Sequence, residues 1–327
     1  MEPISQMKFL SWLQRTEKVI ISTEMNKMKF GIAIPNFGRY AKKDAILSVA
    51  KTAETLGFDS IWVSDHIVIP ESHKGFGKVF YEPLTTLTYI AALTTKIRLG
   101  TSVIILPYRN PIVLAKMVST LDVLSNGRVI LGVGAGWLKE EFQALGVSYE
   151  KRGTMTDEYI QILKMLWSQD KPKFTGLFSN VADINFLPKP IQKPYPPIWI
   201  GGHSRKAIER AVNHGDGWHP VGLTPNEIKE KAKYINKLLV EKKRRKSDFV
   251  ISLRKNLQIK RDSEKEIKEA DEREILRGTP EKIIEGIEKY KNSGVSHLVF
   301  HILSGSLEGI LETMEFFSRE IKPTLKL

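Results

Sequence analysis

The sequence has 327 residues and a formal net charge of +13 at pH 7, and 42% of its residues are hydrophobic. A chain of this length can bury a sizeable core, as one large α/β domain or as two smaller ones. It contains no cysteine, which excludes disulfides, zinc–thiolate sites and thiol nucleophiles and is typical of a reducing cytosol. We therefore expect a cytoplasmic protein whose redox chemistry, if it has any, requires a bound cofactor.

The positive charge favours acidic partners such as phosphates, anionic cofactors, nucleic acids or anionic membranes. The densest basic cluster, residues 242–246, directly follows a predicted helix. We interpret it as a solvated helix end rather than as a nucleic-acid site. No apolar run of about 18 residues is present that could span a membrane. We expect a protein that binds neither nucleic acids nor membranes.

The first 27 residues mix charged residues with Phe9, Trp12 and other apolar residues, and they lack the core and cleavage site of a signal peptide. We interpret residues 1–27 as an N-terminal extension. We expect the folded domain to cover residues 28–327.

From Lys29 onward, short β-branched runs alternate with longer amphipathic segments. The predicted strands are residues 29–34, 60–64, 97–102, 129–134, 197–200, 217–220, 250–259 and 296–302. The predicted helices are residues 43–56, 83–94, 111–125, 149–167, 204–213, 226–241, 279–293 and 307–322. Such alternation is typical of right-handed βαβ units and a parallel sheet. Eight units in about 300 residues predict an α/β fold, a (β/α)₈ TIM barrel with insertion segments.

The competing fold is a doubly wound sheet, which calls for a GxGxxG turn after the first strand. Residues 34–38 read IPNFG and do not form that motif. Residues 168–196 are rich in proline and have little helical or strand periodicity. Because long irregular segments in compact domains are often lids or binding loops, we expect this insertion to lie over one mouth of the barrel.

Active sites of such barrels lie at the carboxyl ends of the strands. Polar, glycine and aromatic residues follow the predicted strands at these ends. They include Asn36 after the first strand, Asp65 and His66 after the second, Ser102 and Val103 after the third, Gly134, Ala135 and Trp137 after the fourth, Gly201, Gly202, His203 and Ser204 after the fifth, and Trp218 in the sixth.

Asp65 and His66 can be read in two ways. Asp65 can cap the next segment while His66 is a hydrogen-bonded buried histidine. Alternatively, His66 transfers a proton at the reacting centre. The position of the pair at a strand end of a barrel favours the second reading.

The turn from Gly201 to Ser204 opens a predicted helix. Its backbone N–H groups and the helix dipole predict an anion site, with Ser204 as N-cap or phosphate donor. An ordinary strand-to-helix turn is the alternative. Gly134 and Ala135 end a strand, and the absence of a side chain at the glycine allows a flat ring to approach the backbone.

The seven histidines form no HxH or HExxH motif, so we expect no metal site. His297 and His301 lie four apart in a predicted strand, too far apart to share an ion easily. The nucleophilic GxSxG motif is also missing. These observations disfavour a hydrolase.

Taken together and in this order, several motifs resemble the luciferase-like monooxygenase superfamily, the bacterial luciferase-type flavin- and F420-dependent oxidoreductases. The resemblance covers nearly all of residues 28–322. The motifs are MKFGIAIPNFG, AETLGFDSIWVSDH, TTKIRLGTSVIILPYRNPIVLAKMVSTLDVLSNGRVILGVGAGW, KRGTMTDEYIQILKMLW, PKPIQKPYPPIWIGGHS, AIERAVNHGDGW and RGTPEKIIEGIEKYKNSGVSHLVFHI.

The Asp-His pair and the Ser-Val step resemble the F420-dependent branch, which includes the methylenetetrahydromethanopterin reductases. This resemblance implies a cis peptide between Ser102 and Val103 that supports the deazaflavin ring. It also implies an oxidoreductase that transfers a hydride between coenzyme F420 and a small organic substrate. Two alternatives stay open: an FMN-dependent monooxygenase that uses reduced flavin and O₂, and a non-catalytic flavin-binding barrel.

The resemblance also implies roles for the strand-end residues. His66 would act at the reacting centre, and Asp65 would orient it or bind the ring system. The cofactor would be held by Asn36, Ser102, Val103, Gly134, Ala135 and residues 201–204. Trp137, Trp218 and the 168–196 segment would shape the substrate pocket. We further expect a homodimer.

Overall fold

The computed structural model describes residues 28–71, 73, 77–260 and 273–325. The predicted extension, residues 1–27, lies outside the described residues.

Eight of the described strands form a closed parallel barrel in the order β1, β2, β3, β5, β8, β9, β10 and β12, and β12 pairs again with β1. This confirms the predicted (β/α)₈ fold. The described strands are β1 (Lys29–Ala33), β2 (Ser60–Val63), β3 (Arg98–Thr101), β4 (Ile104–Ile105), β5 (Val129–Gly134), β6 (Phe174–Thr175), β7 (Asn180–Val181), β8 (Ile198–Ile200), β9 (Gly217–Trp218), β10 (Val250–Ile259), β11 (Ile275–Gly278) and β12 (His297–Ile302).

Helices follow the barrel strands and cover the outside of the barrel. The described α-helices are α1 (Lys43–Thr55), α2 (Pro83–Ala91), α3 (Pro111–Leu124), α4 (Lys139–Ala144), α5 (Arg152–Ser168), α6 (Arg205–His214), α7 (Pro225–Glu241), α8 (Pro280–Asn292) and α9 (Leu307–Phe316). Several begin at side-chain caps. The Asn110 side chain accepts the amides of Ile112 and Val113 before Pro111, which satisfies donors that the first helical turn leaves unpaired.

Two short strands extend the sheet beyond the barrel. β4 pairs with β5, and β11 pairs with the outer part of β10. The sequence pattern predicted neither of them, because strands of this length carry too few residues to show a period.

The inserted segment 168–196 contains the small antiparallel hairpin β6–β7. Gln192 near its end donates to the carbonyl of Val129 and accepts a hydrogen bond from Arg98. These two residues begin β5 and β3, so Gln192 lies at the amino end of the barrel. This differs from the expected lid, since a connection from a helix to the next strand starts at the amino end and not at the site.

The core has two parts. A large apolar cluster lies between the barrel and its helices. A smaller cluster fills the barrel interior around Trp62, whose ring stacks on Trp199 at 5.2 Å and on His219 at 4.7 Å. The interior is therefore packed below the carboxyl ends of the strands.

Candidate active site

His66 follows β2 at the carboxyl end of the barrel and is 7% exposed. Its Nδ1 lies 2.6 Å from Oε2 of Glu141, which is fully buried on the short helix α4. Because an ionised carboxylate can only accept, Nδ1 is the donor in this bond. The hydrogen bond to Glu141 therefore fixes the orientation of the ring.

Glu141 also accepts hydrogen bonds from the amides of Ile67 at 2.6 Å and Val68 at 3.2 Å, and from the hydroxyl of Tyr108 at 3.0 Å. Burial on its own raises the pKa of Glu141, but the bonds from His66 and the two amides outweigh burial and hold this pKa below its usual value. Glu141 is therefore ionised at neutral pH.

Asp65, which we expected to orient His66 or to bind the ring system, pairs with Arg109. Its two carboxylate oxygens accept a bidentate pair of bonds from Arg109 at 2.6 and 2.9 Å, and the amide of Ile105 donates to it at 2.8 Å. Burial alone would lower the pKa of Arg109, but the Asp65 carboxylate outweighs burial and raises it. The pair anchors the segment after β3, and Glu141 takes the role that we had predicted for Asp65.

The peptide between Ser102 and Val103 is cis, as predicted. The Ser102 hydroxyl lies 2.8 Å from Nε2 of His219, and Nδ1 of His219 lies 2.8 Å from the hydroxyl of Ser252. Burial, with a smaller effect from the charge of Arg254, lowers the pKa of His219 to about 3. This imidazole is therefore neutral and holds the Ser102 side chain in place.

Gly134 lies against the cis step. A Cβ atom added at Gly134 would lie 2.8 Å from a methyl group of Val103, too close for any side chain. Ala135 follows at a partly exposed position.

The 201–204 turn joins β8 to α6, and its last three residues are exposed. Gly202 has a φ of +98°, which favours glycine. Ser204 caps α6 by accepting the amide of Ala207 at 3.1 Å. The His203 ring lies 3.0 Å from the carbonyl of Val221.

The remaining predicted residues fall into two groups. Trp137 is 51% exposed, and its ring meets that of His66 edge-on at 6.2 Å, so it can contact a substrate. Trp218 has no exposed surface and donates to the carbonyl of Gly202, so it supports the turn and does not line the pocket. Asn36 is also fully buried, and its side chain ties the end of β1 to the backbone of Ser64.

Sequence reasoning missed Glu141, Arg109 and Arg254. Glu141 could have been suspected because it stands between Leu138 and Phe142, which are both buried, in a short segment after β5. An acid within such an apolar face needs a buried partner. Arg254 gave no such signal, since a single arginine within a strand can face either way.

Within the described ranges, no group of three or more histidine and acidic side chains is arranged to hold a metal ion. In the same part of the chain, no helix has the length and apolar character needed to cross a membrane.

Two relatives illustrate what the chain is similar to. An uncharacterized protein of Mycobacterium tuberculosis is 33% identical over 195 residues, which cover 56% of this chain and 67% of that protein. The F420-dependent glucose-6-phosphate dehydrogenase of Amycolatopsis mediterranei is 27% identical over 328 residues, which cover 86% of this chain and 94% of that enzyme.

Solved structures share the fold. An F420-dependent secondary alcohol dehydrogenase with an F420–acetone adduct superposes with a TM-score of 0.78 at 22% identity, covering 92% of this chain and 100% of that chain. The oxygenating constituent of 3,6-diketocamphane monooxygenase from Pseudomonas putida, in complex with FMN, gives 0.75 at 16% identity, covering 92% and 99%.

The model of the luciferase-like monooxygenase family matches residues 28–276, most of the described barrel. This match and the relatives agree with the resemblance seen in the sequence motifs. The chain is an oxidoreductase and belongs to the luciferase-like monooxygenase family.

Proposed function

We propose that the protein transfers a hydride between coenzyme F420 and a small organic substrate, with His66 as the proton-transfer residue. The observation that carries the proposal is the bond between His66 and the buried carboxylate of Glu141. Such a pair fixes one ring nitrogen and stabilises the imidazolium, which suits the other nitrogen to general acid–base work. The F420-dependent relative, similar over most of both chains, supports the choice of cofactor.

The residues at the carboxyl end fit a flavin-type ring and its phosphate. The cis step and the backbone at Gly134 and Ala135 would hold the ring, and residues 201–204 would hold the phosphate. The bound deazaflavin would supply the hydride chemistry.

The residues of the chain would position the substrate and move the proton. As the hydroxyl-bearing carbon of an alcohol is oxidised, Nε2 of His66 accepts the hydroxyl proton. In the reverse reaction, Nε2 returns this proton to the oxygen. Glu141 stabilises the positive charge that forms on the ring, and Tyr108 donates to the same carboxylate oxygen. Burial and the Glu141 carboxylate raise the pKa of Tyr108, so Tyr108 stays protonated and remains a donor. Trp137 would cover one side of the substrate beside His66.

FMN-dependent monooxygenation with O₂ is the second candidate. The 201–204 turn favours it as much as F420, since a helix N-terminus suits either cofactor's phosphate. The non-catalytic barrel is no longer an alternative, because the chain belongs to an oxidoreductase family and the F420-dependent relative is a dehydrogenase.

The test is turnover under two conditions. Without oxygen, the protein is incubated with oxidised F420 and a panel of small alcohols, and bleaching of the deazaflavin absorbance is followed. With oxygen, it is incubated with reduced FMN and small aldehydes or ketones. In the first assay, we expect bleaching of F420 that depends on the alcohol. Product formation in the second assay but not in the first would favour the monooxygenase.

We also propose that the protein acts as a homodimer in the cytoplasm. Helix α3 supports the dimer because it exposes Val113, Met117 and Leu124, which share one side of the helix. The cytoplasmic location is supported by the cysteine-free composition.

A further inference from the structure

Arg254 is a cation in the mouth of the barrel to which the proposed proton transfer assigns no role. It lies on the inner face of β10, since Ser252, two residues earlier, contacts His219 inside the barrel. Its Nη1 donates to the hydroxyl of Ser64 at 2.6 Å and to the carbonyl of Ser102 at 3.3 Å. The guanidinium therefore lies directly beside the cis step.

Among the described residues, Arg254 has no acidic counter-charge. In the described part of the protein, no carboxylate forms an ion pair with it, and its contacts are the Ser64 hydroxyl, the Ser102 carbonyl and the face of Phe37. Burial lowers the pKa of Arg254 to about 10, so it remains protonated at neutral pH. A desolvated cation without a counter-charge costs free energy, which a bound anion would recover.

The neighbouring imidazoles cannot supply the counter-charge. Burial, aided by the charge of Arg254, lowers the pKa of His219 and of His301 to about 3. Both rings are therefore neutral near pH 7, and each carries one N–H donor. The mouth around Arg254 combines one positive charge with neutral donors.

Further polar groups lie close to Arg254, and open space lies beside Phe37, over whose ring the guanidinium stands. Asn256 follows two residues later on the same face of β10, and it pairs in register with His301 on β12. His301 stacks on Phe37 at 5.6 Å, and both residues line a cavity of about 380 Å³ that also touches Arg39, Tyr40 and Ser304. Because Nη1 makes both hydrogen bonds of the guanidinium to the described residues of the barrel, its Nε and Nη2 groups keep three N–H donors for a ligand.

A row of aromatic rings joins this cavity to the reacting centre. Phe37 stacks on Phe80 at 4.8 Å, and Phe80 meets the ring of His66 edge-on at 5.2 Å. A small molecule that lies along this row reaches towards His66 at one end and Arg254 at the other.

We propose that Arg254, with Asn256 and His301 beside it, binds the carboxylate of the substrate. The substrate class is then a small hydroxy acid or the corresponding oxo acid. Planar carboxylates suit the guanidinium fork, which can bind them through two parallel bonds. This proposal rests on the proposed function and deepens it. The negative charge of a reduced cofactor ring is a second anion that Arg254 can contact. The experiment below distinguishes this ring from a substrate carboxylate.

The experiment uses the cofactor-free protein, so that its result does not depend on which cofactor is bound. Benzoate and its neutral analogue benzamide are titrated by calorimetry into the wild type, Arg254→Met and Arg254→Lys. Arg319→Met is the matched control, because Arg319 is exposed on the C-terminal segment and its loss changes the net charge equally. We expect benzoate to bind the wild type and Arg319→Met alike and at least about tenfold more tightly than benzamide.

We expect Arg254→Met to lose at least about tenfold in benzoate affinity, and Arg254→Lys, which keeps the charge without the fork, to lose less. Thermal melting checks that the variants fold. If Arg254→Met does not fold, Arg254→Lys alone tests the proposal. The proposal is overturned if benzoate fails to bind the wild type, if benzamide binds equally well, or if the folded Arg254 variants bind benzoate as the wild type does. In the last case, weaker binding of reduced but not oxidised cofactor by Arg254→Met would assign Arg254 to the ring. Failure of F420 to bind would contradict the proposed function and leave the benzoate result standing.

Discussion

The carboxylate of Glu141 accepts four hydrogen bonds at once, from the ring of His66, the amides of Ile67 and Val68, and the hydroxyl of Tyr108. Two carboxylate oxygens offer about four acceptor positions, so all acceptor positions of this buried group are occupied. Its charge lies directly beside Nδ1 of His66.

Replacing His66 by alanine tests its role. Because a positioned general acid or base contributes about 100-fold or more to a rate, we expect His66→Ala to lower turnover by at least about that factor. Cofactor affinity, measured by fluorescence, should change little. His214→Ala, at the end of α6, is the control and should keep wild-type turnover. Parallel losses of folding stability and cofactor binding in His66→Ala would favour a packing role instead.

Of the pair formed by His66 and Glu141, the sequence predicts only His66. His66 can be selected because it directly follows a barrel strand, and position along a strand is a local property. Glu141 lies 75 residues further along the chain, and only the closed barrel brings α4 against the end of β2. For the same reason, the partner of Asp65 could not be anticipated, since Arg109 is 44 residues away.

Among the elements, α7 has the most complete N-terminal cap. The Thr224 side chain accepts the amide of Glu227, and the Glu227 side chain accepts the amide of Thr224. Arg273 also donates to Glu227. The hydrogen bond from Arg273 is the largest influence on the pKa of Glu227; it and the bonds from Thr224 outweigh burial and lower this pKa to about 2.

This cap makes the stability of the protein depend on pH. A carboxyl group whose pKa is lower in the folded than in the unfolded state stabilises the fold above its unfolded pKa and loses this effect as pH falls. For Glu227, the contribution is complete above the usual value of 4.5 and is lost between 4.5 and about 2. We expect Glu227→Gln to lower the free energy of unfolding at neutral pH by roughly 1 kcal/mol, a difference that shrinks through this window.

Urea unfolding at a series of pH values measures the difference. Glu315→Gln, at an exposed position of α9, is the matched control and should leave the free energy of unfolding unchanged. A difference between wild type and Glu227→Gln that stays constant from neutral pH to pH 2 would show that the carboxylate charge contributes nothing.

The element boundaries show where local patterns stop being sufficient. β5 and β10 have the predicted ends, whereas α2 was predicted to reach residue 94 and ends at Ala91. The buried Arg128 donates to the carbonyls of Ala91 and Thr94. These carbonyls accept hydrogen bonds from Arg128, which is distant in the sequence, so the sequence of the helix alone does not indicate where it ends. The last helix was predicted to run to residue 322; its α-helical part ends at Phe316, and a π-helical turn continues it from Phe317 to Ile321.

For the whole molecule, the exposed apolar side of α3 predicts an interface between two copies. Val113 is 57% exposed and lies in the first turn of α3, where an acidic residue is tolerated by the helix dipole. We therefore expect Val113→Glu to dissociate the dimer without unfolding it. The control is Val240→Glu on α7, where Val240 is 77% exposed. Sedimentation should give dimers for the wild type and the control. A monomeric wild type would refute this interface.

The central claim is that the barrel mouth binds a deazaflavin for hydride transfer, and a direct binding titration tests it. F420 and FMN are each titrated into the purified protein, and binding is followed by fluorescence. We expect saturable binding of F420 and weaker binding of FMN. Tight binding of FMN together with no binding of F420 would contradict the proposed F420-dependent hydride transfer and favour the oxygen-dependent monooxygenase.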